Sequence, residues 1–405
     1  MHNVAGPEAH RPGSAGEILQ ILRDGKARTR RDLAGLTGQA RTTVAQRLSV
    51  LTDVGLVREA EETAATGGRP SAAFAFDAEG KVVLAIDLGA NHATYGVADL
   101  HGEILASATD MVRIGDGPKV VMELVLTRLE ELLATPGIAE RDVLAIGVGL
   151  PGPVDQHTGR PTSPPIMPGW DGYDIRTVLA DRYCCPVFVD NDANVLALGE
   201  RAVAWPDVAD LMFVKVATGV GAGIISGEHL LHGAQGAAGD LGHVYSKAAN
   251  DRPCRCGNRG CLESLAGGMS IAARLTERGV PADSPSDIVS LVRAGNLETV
   301  LALREAGRAL GEVLATCTAL FNPRVIVIGG EIVEVGEPLL AGVRESIYSR
   351  ALPLASRDLR VVVAKSGALG GVIGAARMAL DSVFSAQFLD QVLDKEPAEV
   401  GLTSA

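Results

Sequence analysis

Two segments of the chain repeat one pattern, in which an apolar strand runs into a glycine-rich turn and a second strand follows. The first copy spans residues 81–100 and the second spans residues 211–226. Further strand and helix patterns come after each copy, so we predict an α/β fold made by duplication, with two lobes. The predicted strands are 81–87, 92–100, 143–148, 187–189, 211–216, 224–226, 324–328 and 359–364, and the predicted helices are 118–134, 173–183, 193–203, 270–278, 284–294, 297–320, 336–348 and 369–380.

The front of the chain differs in charge from the body. The 405 residues carry a net charge of −12, yet residues 11–58 contain nine basic and four acidic side chains, a net charge of +5. A basic segment on an acidic body indicates a polyanionic partner for that segment alone. We therefore divide the chain into a front domain at 14–80, a body at 81–381 and a tail at 382–405.

The front domain has the pattern of three short helices. Ser14 can cap the first helix and Thr29 the second, and the third helix covers about residues 39–53. A glycine-containing turn before the third helix predicts a helix-turn-helix, whose third helix enters the major groove of DNA. The alternative is a solvated helix packed on the body. The inward face of the third helix carries Val44, Leu48 and Leu51, and its outer face carries the candidate DNA contacts Arg41, Thr42, Thr43, Gln46 and Arg47.

A hairpin follows the three helices. Residues 56–59 and 72–76 read as two strands, which predicts the wing of a winged helix. Arg69 lies near the base of this hairpin between glycine and proline. An arginine held extended there can enter a narrow minor groove, although Gly-Arg-Pro also makes an ordinary linker.

One histidine and three cysteines lie close together in the second half of the chain, at His243, Cys254, Cys256 and Cys261. Neutral imidazole and thiolate are ligands that zinc prefers, and four protein ligands leave no open coordination position. The motif at 243–261 therefore predicts a structural zinc ion rather than a hydrolytic one. The alternative is three reduced cysteines beside a surface histidine.

Three glycine-rich turns follow predicted strands, and their backbone N–H groups could cradle phosphates. Asn191 and Asp192 open a helix after another strand, so they either cap that helix or face the cleft between the lobes. A carboxylate in the cleft can bind a sugar hydroxyl, or accept its proton during phosphoryl transfer. The candidate phosphate-loop residues are Asp87, Gly89, Thr218, Gly219, Gly221, Gly329 and Gly330.

These residues together resemble the ROK family of repressors, open reading frames and sugar kinases. The resemblance covers nearly the whole chain. Its most specific part runs from Ala-Thr-Gly-Val-Gly-Ala-Gly at 217–223 through Gly-Asp-Leu-Gly-His at 239–243 into Cys-x-Cys-Gly-x-x-Gly-Cys-Leu-Glu at 254–263. The resemblance implies a winged helix-turn-helix followed by a duplicated, two-lobed actin-like (RNase H-like) sugar-kinase fold. It also implies zinc at the four ligands above, Asp192 at the kinase base position, and a sugar site formed by Asn191, Asp192, Asp240, His243 and Glu263.

The chain departs from the family pattern near the ligands. Kinases of the family carry Asp-x-Gly-Gly-Thr-Lys at the first phosphate loop, where this chain reads Asp87-Leu-Gly-Ala-Asn91-His92. Loss of the hydroxyl and the cation should weaken the binding of ATP phosphates, so we expect neither an ATP cofactor nor an enzyme. Asp240 stands where the family commonly has Glu, and Ile166 where it often has Asn, so the ligand can differ.

Family members with an added front module are mostly transcription regulators. We therefore expect a cytoplasmic repressor that answers to a sugar or sugar phosphate and binds a double-stranded DNA operator as a homodimer or tetramer. Scattered cysteines fit a reducing compartment, and we find neither a signal-peptide core nor an apolar run of 18 residues. The alternatives are an ATP-dependent sugar kinase with an added DNA-binding module, and a constitutive DNA-binding protein with an inactive pocket.

Overall fold

The computed structural model describes residues 14–60, 72–385 and 387–389. The front segment folds as predicted into three helices and a small antiparallel sheet. Most of the predicted wing loop, Arg69 and most of the tail (386 and 390–405) lie outside the described residues. The elements are α1 (Ala15–Leu22), β1 (Arg28–Thr29), α2 (Arg30–Thr37), α3 (Arg41–Asp53), β2 (Val57–Ala60) and β3 (Ala73–Phe76).

Side-chain caps begin the first two helices, as predicted. The Ser14 hydroxyl accepts a hydrogen bond from the Glu17 amide, and Thr29 and Asp32 form a complete capping box at α2. Val44, Leu48 and Leu51 are buried. Strand β1 was not predicted, because a two-residue strand shows no periodicity; it pairs with β3, so the sheet has the order β1-β3-β2.

The body contains two five-stranded sheets with the same plan. In each sheet the central strand pairs antiparallel with one neighbour, which in turn pairs antiparallel with an edge strand. On the other side of the central strand, two further strands continue the sheet in parallel, in the orders β6-β5-β4-β7-β8 and β11-β10-β9-β12-β13. This repeat confirms the duplicated, two-lobed fold. The first lobe contains β4 (Lys81–Leu88), β5 (His92–Ala98), β6 (Ile104–Met111), α4 (Pro118–Leu133), β7 (Asp142–Leu150), α5 (Ile175–Tyr183) and β8 (Val187–Asn191). The rest contains α6 (Asp192–Ala204), β9 (Leu211–Val216), β10 (Val220–Ser226), β11 (His229–Leu230), α7 (Glu263–Ala266), α8 (Gly268–Glu277), α9 (Pro285–Arg293), α10 (Leu297–Phe321), β12 (Val325–Gly329), α11 (Glu337–Arg350), α12 (Pro353–Ser356), β13 (Arg360–Val363) and α13 (Gly370–Val383).

The prediction missed two outer strands of these sheets. In β6, half-buried residues alternate with exposed ones, and most of its side chains are small or polar. An apolar pattern is therefore weak there, although the period is that of a strand. Strand β11 is only two residues long.

Two helices, α6 and α13, tie the lobes together. Helix α6 follows the first sheet but packs on β9 and β10 of the second, whereas α13 follows the second sheet and packs on β4 and β7 of the first. The helices also touch each other so closely that a Cβ on Gly374 would lie 1.8 Å from the Val195 carbonyl oxygen. Only glycine permits this approach, so the crossing depends on Gly374 and on Gly199 opposite it.

The front domain shares a hydrophobic cluster with the body. Residues of α1 and β3 are buried together with the C-terminal half of α13. Phe384, which directly follows α13, contacts the ring of Phe76 at 5.7 Å between centroids and lies 4.8 Å beneath the Arg23 guanidinium. The Gln20 amide also donates to the Phe384 carbonyl oxygen. The end of α13 is therefore the point where the front domain and the body meet.

Within the described ranges, no helix is long and apolar enough to cross a membrane.

Candidate functional site

The turn between β9 and β10 lies at the centre of the predicted site. A Cβ on Gly223 would lie 2.5 Å from the carbonyl oxygen of Ala193, directly after Asp192. On Gly219, a Cβ would lie 2.2 Å from a carboxylate oxygen of Glu263. Gly223 in β10 therefore lets α6 approach from one side, and Gly219 in the turn lets the segment after the cysteines approach from the other.

The predicted metal ligands form one cluster. The candidate ligand atoms of His243, Cys254, Cys256 and Cys261 all lie within 4.8 Å of one another. The Cys256 and Cys261 sulfurs are 3.8 Å apart, and the Cys254 sulfur is 3.6 Å from His243 Nδ1. With zinc–sulfur bonds of about 2.3 Å, the edge of a tetrahedron measures about 3.8 Å. The four residues could therefore hold a metal ion, and the two shortest distances match those of a tetrahedral zinc site.

The metal cluster positions two of the predicted sugar residues. His243 presents Nδ1 to the cysteines, and its Nε2 lies 4.0 Å from Asp240 Oδ1. Glu263 comes two residues after Cys261, and its Oε2 accepts the backbone N–H of Val220. A metal ion held by this cluster would therefore fix both the His243 ring and the Glu263 carboxylate against the β9–β10 turn.

Asn191 and Asp192 lie at the start of α6. The Asn191 side chain caps the helix by accepting the Ala193 amide, and its own amide donates to the Gly152 carbonyl oxygen at 2.8 Å. Asn191 is therefore the N-cap of α6. Asp192 is 6% exposed and forms an ion pair with Lys215, with 2.5 Å between Oδ2 and Nζ.

Lys215 was not predicted as a site residue. It is a lysine inside the otherwise apolar strand β9, and that contrast is the signal that could have identified it. Burial acts to lower the pKa of Lys215, but Asp192 and Asp87 outweigh burial and raise it above its ordinary value. Lys215 is therefore a cation at neutral pH.

Two further titratable groups border this ion pair. Burial raises the pKa of Asp87 to about 6, with Lys215 opposing the rise and Asp192 adding to it. Burial, aided by Lys215, lowers the pKa of His92 and keeps its imidazole neutral. The floor of the cleft thus holds two carboxylates, one ammonium group and one neutral imidazole.

The three candidate phosphate loops are filled by the chain itself. A Cβ on Gly89 would lie 2.3 Å from the His92 ring, which covers the first loop. In the second loop, the Glu263 carboxylate accepts a hydrogen bond from the backbone N–H of Val220. Gly330 has a φ of +105° and, like Gly329, brings the end of β12 close to β9. Each of the three loops is therefore in close contact with another part of the chain.

A second group of polar residues lies behind α6. Asp190 is buried and accepts hydrogen bonds from the Asn194 side chain and from the backbone N–H of Asn191. Its Oδ2 is 2.6 Å from His232 Nε2. A cavity of about 670 Å³ opens beside this pair, against Met378, Ser385 and Phe388. None of the five predicted sugar residues lines it.

The predicted DNA face of α3 is accessible. Arg41, Thr42 and Gln46 are exposed, while Thr43 and Arg47 are half-buried. Other basic residues of the front domain are already engaged: Arg28 pairs with Asp24 at 2.6 Å, and Arg30 lies over the Phe74 ring. Arg41, Thr42 and Gln46 take part in neither of these two contacts, and their side chains are exposed on the surface of α3.

Comparison with known proteins identifies the family of the chain. The xylose repressor of Caldicellulosiruptor bescii is 27% identical over 382 residues, which cover 91% of this chain and 95% of that protein. The solved structure of a ROK family transcriptional regulator, a homologue of the E. coli MLC protein, matches with a TM-score of 0.78 and 26% identity, covering 94% of this chain and 98% of that one.

A kinase of known structure matches less of the chain. The ROK family glucokinase from Streptomyces griseus, in complex with glucose and AMPPNP, has a TM-score of 0.64 and 26% identity, and covers 74% of this chain and 99% of its own. The profile of the ROK family itself matches residues 83–382. The chain therefore belongs to the ROK family.

Proposed function

We propose that this protein is a sugar-responsive DNA-binding transcription regulator that acts as a repressor. One observation carries the proposal: α13 touches the cleft at one end and the front domain at the other. At its first turn a Cβ on Gly371 would lie 1.9 Å from a carboxylate oxygen of Asp87, and after its last turn Phe384 packs on Phe76. A change in the cleft can therefore reach the DNA-binding domain through one helix.

The front domain supplies the DNA interface in this proposal. Helix α3 enters the major groove, where arginine and glutamine side chains read base edges. The small sheet β1-β3-β2 forms the wing beside it. Repressor relatives that match along nearly the whole chain support this assignment. The proposed contacts are Arg41, Thr42, Thr43, Gln46 and Arg47, with Arg69 as a minor-groove contact from outside the described residues.

A structural zinc ion would hold the sugar side of the cleft in place. The distances among His243 and the three cysteines support zinc, since they match a tetrahedron of thiolate and imidazole ligands. Four protein ligands leave no position for substrate, so the ion's role is to orient His243 and Glu263.

A sugar would bind around the β9–β10 turn in this proposal. Carboxylate and amide groups satisfy the hydroxyls of a polyol that is removed from water. The proposed sugar-binding residues are Asn191, Asp192, Asp240, His243 and Glu263. Binding shifts the protein toward one lobe arrangement by its differential affinity for the two arrangements, and α13 carries the shift to the operator-binding surface. A homodimer would present two copies of α3 to the two halves of an operator.

The second candidate is an ATP-dependent sugar kinase with an added DNA-binding domain. Asp192 at the kinase base position and the shared fold with a glucokinase favour it. Two observations oppose it. The His92 ring lies against Gly89 in the first phosphate loop, and Asp192 is already paired with Lys215.

A paired measurement separates the two functions. The zinc-loaded protein is incubated with D-xylose, D-glucose, N-acetyl-D-glucosamine and their phosphates, and both its melting temperature and its ATP turnover are followed. A regulator gains stability from a sugar without ATP, by about 2.7 kcal/mol at 100 times the Kd. ATP turnover that requires the sugar and disappears in Asp192→Asn would establish the kinase instead.

A further inference from the structure

The duplicated fold places an acid and a base at equivalent positions. Asp87 is the next-to-last residue of β4, and Lys215 is the next-to-last residue of β9. Each lies opposite a glycine of the parallel neighbouring strand, Gly149 for Asp87 and Gly329 for Lys215. Each also precedes the glycine-rich turn of its own lobe. The internal symmetry thus brings one carboxylate and one ammonium group to the floor of the same cleft.

An ion pair with Asp192 holds the Lys215 side chain in this cleft. Its side chain is 17% exposed and that of its partner Asp192 is 8% exposed, so the ion pair is largely removed from water. Breaking it would leave Asp192 as a buried charge without a partner, which is costly in a protein interior. Asp87 adds a second negative potential at the ammonium group. The pair is therefore a persistent feature of the cleft.

Phosphoryl transfer in a cleft of this kind requires a cation other than an ammonium group. Sugar kinases and other phosphoryl-transfer enzymes use a divalent ion to bridge the nucleotide phosphates, and Mg²⁺ is bound through one or two carboxylates. The carboxylates beside Lys215 on the floor of this cleft are Asp87 and Asp192, and Lys215 is paired with Asp192 and acts electrostatically on Asp87. A divalent ion placed beside the ammonium group would be repelled, because the two charges have the same sign.

We propose that Lys215 is a built-in cation that takes the place of the divalent metal ion in this cleft, so that the cleft binds its sugar without metal or nucleotide. The inference rests on the proposed function, since it explains how a sugar-kinase fold serves as a sugar receptor. Lys215 is then a specificity-determining residue, which excludes a metal–nucleotide complex while leaving a neutral sugar able to bind.

Manganese binding tests this assignment directly. Mn²⁺ is titrated into the zinc-loaded wild-type protein and into Lys215→Ala, with free Mn²⁺ followed by electron paramagnetic resonance. We expect no Mn²⁺ site in the wild-type cleft. Lys215→Ala should gain one site that binds at least about tenfold more tightly than any site of the wild type, because both carboxylates lose their counter-charge. The double variant Lys215→Ala/Asp192→Asn should lose that site again. Lys119→Ala, which removes an exposed lysine of α4, is the matched control and should behave like the wild type.

Two results would overturn the inference. One is a wild-type Mn²⁺ site that Asp192→Asn abolishes; the other is a folded Lys215→Ala protein with no more Mn²⁺ affinity than the wild type. If Lys215→Ala does not fold, Lys215→Gln replaces it, since glutamine retains polar contacts without the charge. As a further check, Mg²⁺–AMPPNP should leave the wild-type melting temperature unchanged, and an Asp192-dependent rise would count against the inference. Turnover of sugar and ATP by the wild type would instead refute the proposed function itself.

Discussion

Cys256 and Cys184 are both exposed cysteines, but in the part of the chain that the structure describes only Cys256 belongs to a group of candidate metal ligands. We predict that Cys256→Ser lowers bound zinc well below the wild-type value of one ion per chain and reduces the melting temperature, because metal binding stabilises only the folded state. Zinc released from the denatured protein is measured with a colorimetric chelator. Cys184→Ser is the matched control and should retain its zinc. Equal zinc contents in all three proteins would show that the cluster is not the metal site.

Asp87 makes the unfolding free energy of the protein depend on pH. Its folded-state pKa of about 6 is above the ordinary value, so its stabilising contribution is present below pH 4 and is lost as the pH rises through 6. Lys215 and Asp192 are the charged groups that act on it. We predict that Asp87→Asn gains about 1–2 kcal/mol of unfolding free energy relative to the wild type between pH 5 and pH 8.

Urea unfolding of the two proteins at each pH measures this difference. Other titrations, including those of the metal ligands, are common to both proteins and cancel in the comparison. A difference that stays constant with pH would mean that Asp87 is ionised throughout and that its burial is compensated.

Helix α3 carries the predicted operator contacts, and Arg41 at its first position is exposed. We predict that Arg41→Ala weakens operator binding by about 1–3 kcal/mol, as expected for an arginine that contacts a base. Sugar binding and the melting temperature should not change. Arg293→Ala, on the exposed surface of α9, is the control. Parallel losses of DNA and sugar binding in Arg41→Ala would show that Arg41 supports the fold instead.

Helix α13 is the proposed connection between cleft and operator-binding domain, a distance of about 21 Å at 1.5 Å per residue. Phe384 at its end is fully buried against the front domain. We predict that Phe384→Ala destabilises the protein by about 3–5 kcal/mol, the usual loss for a core phenylalanine. The Phe384→Ala protein should still bind DNA. It should release the DNA much less in response to sugar, because the contact that transmits the lobe movement is lost.

DNA-binding anisotropy with and without sugar measures this response. Phe321→Ala provides the comparison, since Phe321 ends α10, is 36% exposed and lies outside the front-domain contact. An unchanged sugar response in Phe384→Ala would rule out α13 as the connection.

Sequence patterns predicted most of these elements because their signals are local. Strands such as β4 and β9 are continuous apolar runs before glycine-rich turns, and the four metal ligands lie within about twenty residues. The short strands β1 and β11 carry no periodicity, so they depend on the partner strand that tertiary structure supplies. The Lys215–Asp192 pair joins residues 23 positions apart on separate elements. Sequence showed a lysine in an apolar strand, but only the folded cleft shows its partner.

At the scale of the whole molecule, duplication explains both the binding site and its departure from kinase chemistry. Two equivalent strand–turn–strand units meet at one cleft, so the glycine-rich turns of both units lie beside it. The second unit carries Lys215 where the first carries Asp87, so the halves have different charges on the same framework. In the proposed function, this fold keeps its sugar site, while the His92 ring lies against Gly89 of the first candidate phosphate loop.

The most direct test of the account is a titration of DNA release by sugar. The zinc-loaded protein is bound to a fluorescent duplex selected from a random-sequence pool, and anisotropy is followed as D-xylose, D-glucose, N-acetyl-D-glucosamine and their phosphates are added without ATP. The account predicts that at least one of these ligands releases the DNA, and that Asp192→Asn raises the concentration it requires. DNA binding that none of these ligands alters, or release that occurs only during ATP turnover, would contradict the account.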